Sequence, residues 1–185
     1  ELFHQTTPLV QGVSIDEARG IVYLTTGSAT ADFYGGDRPG QNLFANCLLA
    51  LDVRTGKRLW HFQTVHHDLW DLDNVSAPQL VTVRHNGRKI DVVAHAGKTG
   101  FLYVFNRVTG EPLWPIEERP VPPSDLPGEQ ASPTQPFPTK PAPFDRHGLT
   151  TDDLIDFTPE LRAEALEIAK RYVLGPIYTP PSVRG

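Results

Sequence analysis

The sequence predicts an all-β chain: a partial β-propeller of about two blades, then a proline-rich excursion and one C-terminal helix. Three observations predict it. A turn-centred element occurs twice, the apolar runs around it have the length and composition of strands, and ten of the 18 prolines are concentrated between Pro115 and Pro143.

The repeat comes first. Residues 50–60 read ALDVRTGKRLW and residues 104–114 read VFNRVTGEPLW, which puts Trp60 and Trp114 54 residues apart. Thr55-Gly56 matches Thr109-Gly110, Asp52 matches Asn106, and Leu59 matches Leu113. In each copy an apolar strand enters a turn where Asp or Asn can bond the backbone near Thr. Gly then supplies a permissive backbone angle, and a new strand begins at the tryptophan. A period of about 50 residues built from short strands and turns is that of a propeller blade.

The intervening strands follow in order. GIVYLTTG (20–27) and NCLLALDV (46–53) are apolar and rich in β-formers, and LWHFQTV (59–65) alternates Trp60, Phe62 and Thr64. QLVTVR and KIDVVAHAG flank Asn86-Gly87, a strong hairpin signal, and GFLYVFNR (100–107) closes the set. The four strands from Trp60 to Arg107 are expected to form one complete blade, with parts of blades on either side. Residues 1–114 are thus assigned to blades. Residues 115–157 are assigned to a proline-rich loop, because missing N–H groups and a fixed φ disfavour strand and helix alike. Leu126, Phe137 and Phe144 punctuate that loop and suit an ordered path over the body better than a disordered linker.

A helix is expected over 158–174. Thr158 can cap it, Pro159 suits its first position and Glu160 its positive end. Leu161, Ala165, Ile168, Ala169, Tyr172 and Val173 form an apolar stripe read as a packing face, and Gly175-Pro176 would end the helix. Residues 175–185 read as the lead-in to a further blade. The chain has no methionine and stops after a Pro-rich turn, so it reads as a segment of a longer protein.

Composition excludes some functions. A formal net charge of −5 without a Lys/Arg cluster argues against a nucleic-acid surface, and no apolar run is long enough for a membrane span. The single cysteine, Cys47, rules out an internal disulfide and sits in an apolar run, as a buried structural thiol would.

Chemistry is concentrated in HHDLWDLD, residues 66–73. His66, His67, Asp68 and Asp71 could hold a metal, although adjacent histidines point apart in an extended chain and no HxH or HExxH spacing occurs. The segment could equally be a polar turn with Trp70 packed. In a third reading Asp71 is a general base within reach of a substrate hydroxyl, with Asp73 ordering the site. A complementary cation, Lys98, lies 27 residues on, between Gly97 and Gly100, where the chain has returned to the same end of the blade.

QTVHHDLWDLD, AGKTGFLYVFNRVTG and the ALDVRTGKRLW element, with PTQPF and IYTPPS, resemble segments of the pyrroloquinoline quinone (PQQ)-dependent quinoprotein dehydrogenases. The similarity is greatest to the membrane-bound glucose and quinate dehydrogenase branch and extends from about Gly20 onward. The resemblance implies an eight-bladed propeller whose blades are locked by the tryptophan element. It implies that Asp71 takes the proton of a sugar or polyol hydroxyl as hydride passes to PQQ. Lys98 would contact the quinone oxygens, and Trp70 and Thr99 are grouped with it as cofactor contacts. It further implies a Ca²⁺ or Mg²⁺ ion against the cofactor, held by Asp71 and, in TTGSATADFYGGDR, by Ser28 or Asp32; the alcohol branch has Asn where Ser28 stands. Near Val10 the family places an aromatic residue, which this sequence lacks. Also implied are a quinone electron acceptor, a periplasmic location, and a membrane anchor in regions outside this chain. A non-catalytic propeller scaffold or binding module is the competing class; it would give Asp71 and Lys98 no reason to converge.

Overall fold

The computed structural model describes residues 9–184, with side chains from residue 12. The expectations for residues 1–8 and for the Val10 side chain lie outside the described residues. Strands β1 (Leu9–Asp16), β2 (Ile21–Thr26), β3 (Cys47–Asp52) and β4 (Arg58–Gln63) form a four-stranded antiparallel sheet in sequence order. A three-stranded antiparallel sheet follows, made of β5 (Gln79–His85), β6 (Arg88–Ala96) and β7 (Leu102–Asn106).

This division corrects the expected one, since the strand carrying Trp60 closes the first sheet and does not open the second. The reason is local. Asp52 Oδ1 accepts the N–H groups of Arg54 (3.1 Å) and Thr55 (2.9 Å), and Gly56, at φ +68°, donates to the Asp52 carbonyl (2.8 Å). So tight a turn folds β4 straight back onto β3. The second copy is built alike: Asn106 Oδ1 accepts from Val108 and Thr109, and Gly110, at φ +74°, donates to Asn106 O (2.9 Å). There the chain makes only an isolated bridge, Phe105 to Pro112, flanked by bonds from Asn106 N–H to Glu111 O (2.7 Å) and from Leu113 N–H to Val104 O (2.8 Å).

The two sheets pack through Tyr23, Leu48, Ala50, Val93, Tyr103 and Phe105, all buried. Trp60 joins them. Its indole lies on the Gly110 turn, where a Cβ at Gly110 would sit 2.7 Å from the ring, and its Nε1–H donates to Arg107 O (3.3 Å). Tyr23 and Phe105 flank it with ring centroids 6.0 and 5.9 Å away. Arg107 in turn reaches the buried Asp16 carboxylate (3.0 Å), a charged tie between the sheets.

The proline-rich excursion contains two strands, contrary to expectation: β8 (Ile116–Pro120) pairs antiparallel with β9 (Thr134–Pro138). Thr139 N–H donates to Pro115 O and Val121 N–H to Pro133 O. This register places Pro120, Pro136 and Pro138 where an N–H would point away from the partner, so no ladder bond is lost.

The helix is shorter than expected. Thr158 caps α1 (Pro159–Ala169) by accepting the Leu161 N–H, but the helix ends at Lys170, before Gly175-Pro176. Its stripe is not a packing face within the described residues: Leu161, Ile168 and Tyr172 are exposed. Past the helix no strand forms among the described residues. The chain returns to the core, where buried Tyr178 packs edge-on against Trp70 and Phe137. No helix among the described residues is long and apolar enough to cross a membrane.

Candidate functional site

The short turns at 17–20, 53–57 and 86–87 lie at one end of the two sheets, and the long connections 27–46, 64–78 and 97–101 at the other. HHDLWDLD occupies the middle connection. Loops carry chemistry where a rigid scaffold presents them, and here almost every residue of the segment has a partner.

His66 is held against the β8–β9 hairpin. Gln135 binds both its backbone N–H (2.8 Å) and its carbonyl (2.6 Å), while its ring meets Gln63 (2.8 Å) and Glu118 (3.0 Å). His67 is buried in a left-handed conformation, φ +46°, with Nδ1 2.7 Å from Gly40 O and Nε2 2.6 Å from Glu129 Oε1. Both histidines are thus bound to protein, and among the described residues no three His, Cys, Asp or Glu side chains gather as a metal site. The His-based metal reading is overturned by these bonds.

Asp68 organises the turn from inside. Its buried carboxylate accepts the Ser28 hydroxyl, Asn46 Nδ2 (2.9 Å) and the N–H groups of Trp70 and Leu72 (both 2.8 Å). Burial raises its pKa against the pull of those donors. With Asp68 anchored inside, Asp71 stands at the tip, at φ +57° and with a side chain 39% exposed.

Lys98 meets it there. The Lys98 ammonium lies 2.8 Å from Asp71 Oδ2 and 2.8 Å from Asp73 Oδ2. Asp73 also accepts the Ser28 N–H (2.8 Å), and Lys98 N–H donates to Asp73 O (3.1 Å), so Asp73 fixes the lysine at both ends. Burial works to lower the Lys98 pKa, but the two carboxylates outweigh it and the net shift is upward. For Asp73 burial pushes upward, and Lys98 with the Ser28 N–H brings the net shift below the usual carboxylate range. The result is a solvent-facing ledge with a carboxylate, a fixed cation and a second carboxylate.

The other sequence candidates are dispersed. Ser28 is buried, with its hydroxyl committed to Asp68 and to Asn46 Nδ2 (3.3 Å). No hydrogen bond or ion pair joins Asp32 to Asp71 among the described residues. Thr99 is buried, with its hydroxyl accepting from Phe101 N–H (3.4 Å) and its carbonyl facing His147. Trp70 is half-buried and donates Nε1–H to Thr179 O (2.7 Å). Sequence reasoning gave no role to Asn46 or to the buried pair His95 and Asn74, linked at 2.9 Å, beneath the site. It also overlooked Glu129, for which no local signal existed, whereas the apolar neighbour Leu69 could have marked Asp68 as the inward carboxylate.

Comparison with known proteins bears on this geometry. Residues 9–185 match the family model for PQQ, glucose/ethanol/alcohol dehydrogenase, β-propeller domain. The chain is 39% identical over 178 residues to the quinoprotein glucose dehydrogenase of Escherichia coli strain K12, covering 92% of this chain and 21% of that protein. It is 38% identical over 149 residues to the quinate/shikimate dehydrogenase (quinone) of Acinetobacter baylyi, covering 80% and 18%. Among solved structures, a europium-containing methanol dehydrogenase matches with TM-score 0.54 and 28% identity over 57% of this chain and 19% of its own. The quinohemoprotein alcohol dehydrogenase of Comamonas testosteroni, at 24% identity, supports the fold alone, with TM-score 0.57 over 72% and 20%. The chain spans about a fifth of the length of the curated relatives it matches. With the repeated tryptophan turns and a match from residue 9 to residue 185, the chain belongs to the β-propeller family of PQQ-dependent glucose, ethanol and alcohol dehydrogenases.

Proposed function

We propose that the full-length protein is a periplasmic PQQ-dependent dehydrogenase that oxidises a hydroxyl of a sugar or polyol of the glucose or quinate type. Its electrons would pass to a quinone acceptor, with any membrane anchor in regions outside this chain. One observation carries the reading: Asp71 and Lys98, 27 residues apart, meet at 2.8 Å on an exposed ledge. A scaffold propeller has no use for that meeting. The relatives named for glucose and quinate support the substrate class.

PQQ, when bound, would supply the hydride-accepting quinone chemistry. Asp71 accepts the hydroxyl proton, so the alcohol leaves as a carbonyl compound and the two electrons of the C–H bond leave with the hydride. Lys98 offers its remaining N–H donor capacity to the quinone oxygens while Asp73 keeps it in place. Trp70 and Thr99, adjacent in sequence to Asp71 and Lys98, are the further candidates for cofactor contact.

For the divalent ion, Asp71 is the carboxylate in position to serve, with Asp32 and Ser28 the further candidates. Ca²⁺ takes about 6–8 oxygen ligands. The described residues do not assemble that number around Asp71, so no step of the reaction is derived through the metal.

Reconstitution of the full-length protein with PQQ and a divalent ion tests the reading. Asp71→Asn is expected to lower turnover by about 10²–10⁴-fold, the usual contribution of a positioned base. Normal turnover in that variant would remove Asp71 from the role.

A further inference from the structure

We infer that Glu129, on the proline-rich excursion, is a positioning residue for the Asp71 loop and acts through His67. This rests on the reading of Asp71 as the base. Glu129 and His67 are 62 residues apart, yet their side chains meet at 2.6 Å and are 0% and 1% exposed. The other Glu129 oxygen accepts the Gly35 N–H, and His67 Nδ1 must donate to Gly40 O, since a carbonyl only accepts. One carboxylate therefore ties the excursion, the octapeptide and the 27–46 connection together.

The fit leaves little slack. A Cβ at Gly35 would lie 2.4 Å from His67 Nε2, so the backbone approaches the ring directly. Tyr34 adds a second tie from the same connection, donating its hydroxyl to Pro127 O (3.0 Å). His67 is in the left-handed region, as is Asp71 four residues later, so the path between them is a tight bend of two costly conformations. Asp68 fixes that bend from below and Gln135 fixes its entry at His66. Glu129 adds a further restraint, beside Arg38, whose buried guanidinium donates to Asp68 O (2.6 Å), and Trp70, whose Nε1–H donates to Thr179 O (2.7 Å). Removing Glu129 leaves His67 Nε2 and the Gly35 N–H buried and unpaired, and relieving that penalty means moving the loop.

The chemistry of the pair distinguishes shape from charge. A glutamine at 129 can accept the Gly35 N–H with its oxygen and donate its amide N–H to a neutral His67 Nε2, so all three bonds survive. An alanine preserves none of those made by the carboxylate. Full-length variants Glu129→Ala and Glu129→Gln, with the exposed Glu117→Gln as control, provide the test.

Hydrogen exchange is read on the cofactor-free full-length protein. In Glu129→Ala the 64–74 segment is expected to exchange about tenfold faster or more, with 79–96 unchanged. In the PQQ-loaded enzyme kcat is expected to fall about 10–100-fold, with KM and the PQQ titration within about twofold, because a small misplacement of a catalytic group costs that much. Glu129→Gln is expected to restore both readouts. Unchanged exchange over 64–74 overturns the inference. So does a loss of kcat that only tracks lost PQQ binding, or a Glu129→Gln variant as impaired as the alanine. If the wild-type enzyme shows no PQQ-dependent turnover, the functional reading fails instead, and the exchange result alone decides the clamp.

Discussion

Gly110→Ala measures how much the Trp60 contact contributes to joining the sheets. Gly110 has φ +74°, so an alanine there carries the left-handed penalty of about 1–2 kcal/mol. Part of that is offset, by about 0.4–1 kcal/mol, because alanine restricts the unfolded chain. The same balance applies at Gly56 (φ +68°) and Gly87 (φ +77°), where an added Cβ meets nothing within 4 Å. Only at Gly110 does the Cβ strike an indole, with Cγ and Cδ2 at 2.7 Å and Cε3 at 3.1 Å. The ring cannot retreat freely, since Tyr23 and Phe105 flank it. Overpacking of this kind costs about 1–3 kcal/mol. Displacing the ring also weakens the Nε1–H bond to Arg107, worth about 1 kcal/mol. Gly110→Ala should therefore lose about 2–3 kcal/mol more than Gly56→Ala or Gly87→Ala. Urea unfolding of the 185-residue chain reads the difference. Equal losses at the three glycines would show that the indole does not bear on the turn as described.

Two further predictions concern the buried polar groups. Burial lowers the His95 pKa to about 4 from its ordinary value of 6.5, so the folded chain keeps it neutral where the unfolded chain protonates it. Stability is then lost as pH falls from about 6.5 to about 4, by about 3 kcal/mol from this group. Denaturant unfolding across that range should show a shallower dependence in His95→Gln, and an unchanged slope would refute the assignment. Asp68→Ala strips two buried and two part-buried donors of their acceptor and should cost about 3 kcal/mol. A loss within about 0.5 kcal/mol would show the turn to be held by other means.

What the sequence revealed follows the range of the interactions. The Asp52 and Asn106 turns were legible because their bonds close within five residues, so residue type alone specifies them. The pairing of Asp71 with Lys98 was legible because one hairpin separates them. The partition of strands was misread: LWHFQTV has strand character whichever sheet takes it, and the tight turn before it is what decides. Proline content concealed β8 and β9, since composition does not show which N–H groups face a partner. Apolar spacing in the helix gave a stripe but not what lies opposite it. Asp68 and Asp71 look alike in HHDLWDLD, and only burial separates the anchor from the exposed tip. Glu129 gave no signal at all, because its partner is 62 residues away.

The Trp60 contact has a direction. The first sheet gives its Trp60 indole to the Gly110 turn of the second, and its own glycine turn, at Gly56, stands open. Donor and receiver are different surfaces, so this is a heterologous joint, the kind that closes into a ring when the rotation per unit allows and otherwise runs on. In this chain the Gly56 turn is a socket of the same shape as the Gly110 turn, and Trp114 holds the plug position of Trp60. With this polarity, a bulky residue at Gly110 blocks the seam between these two sheets and leaves the Gly56 socket untouched.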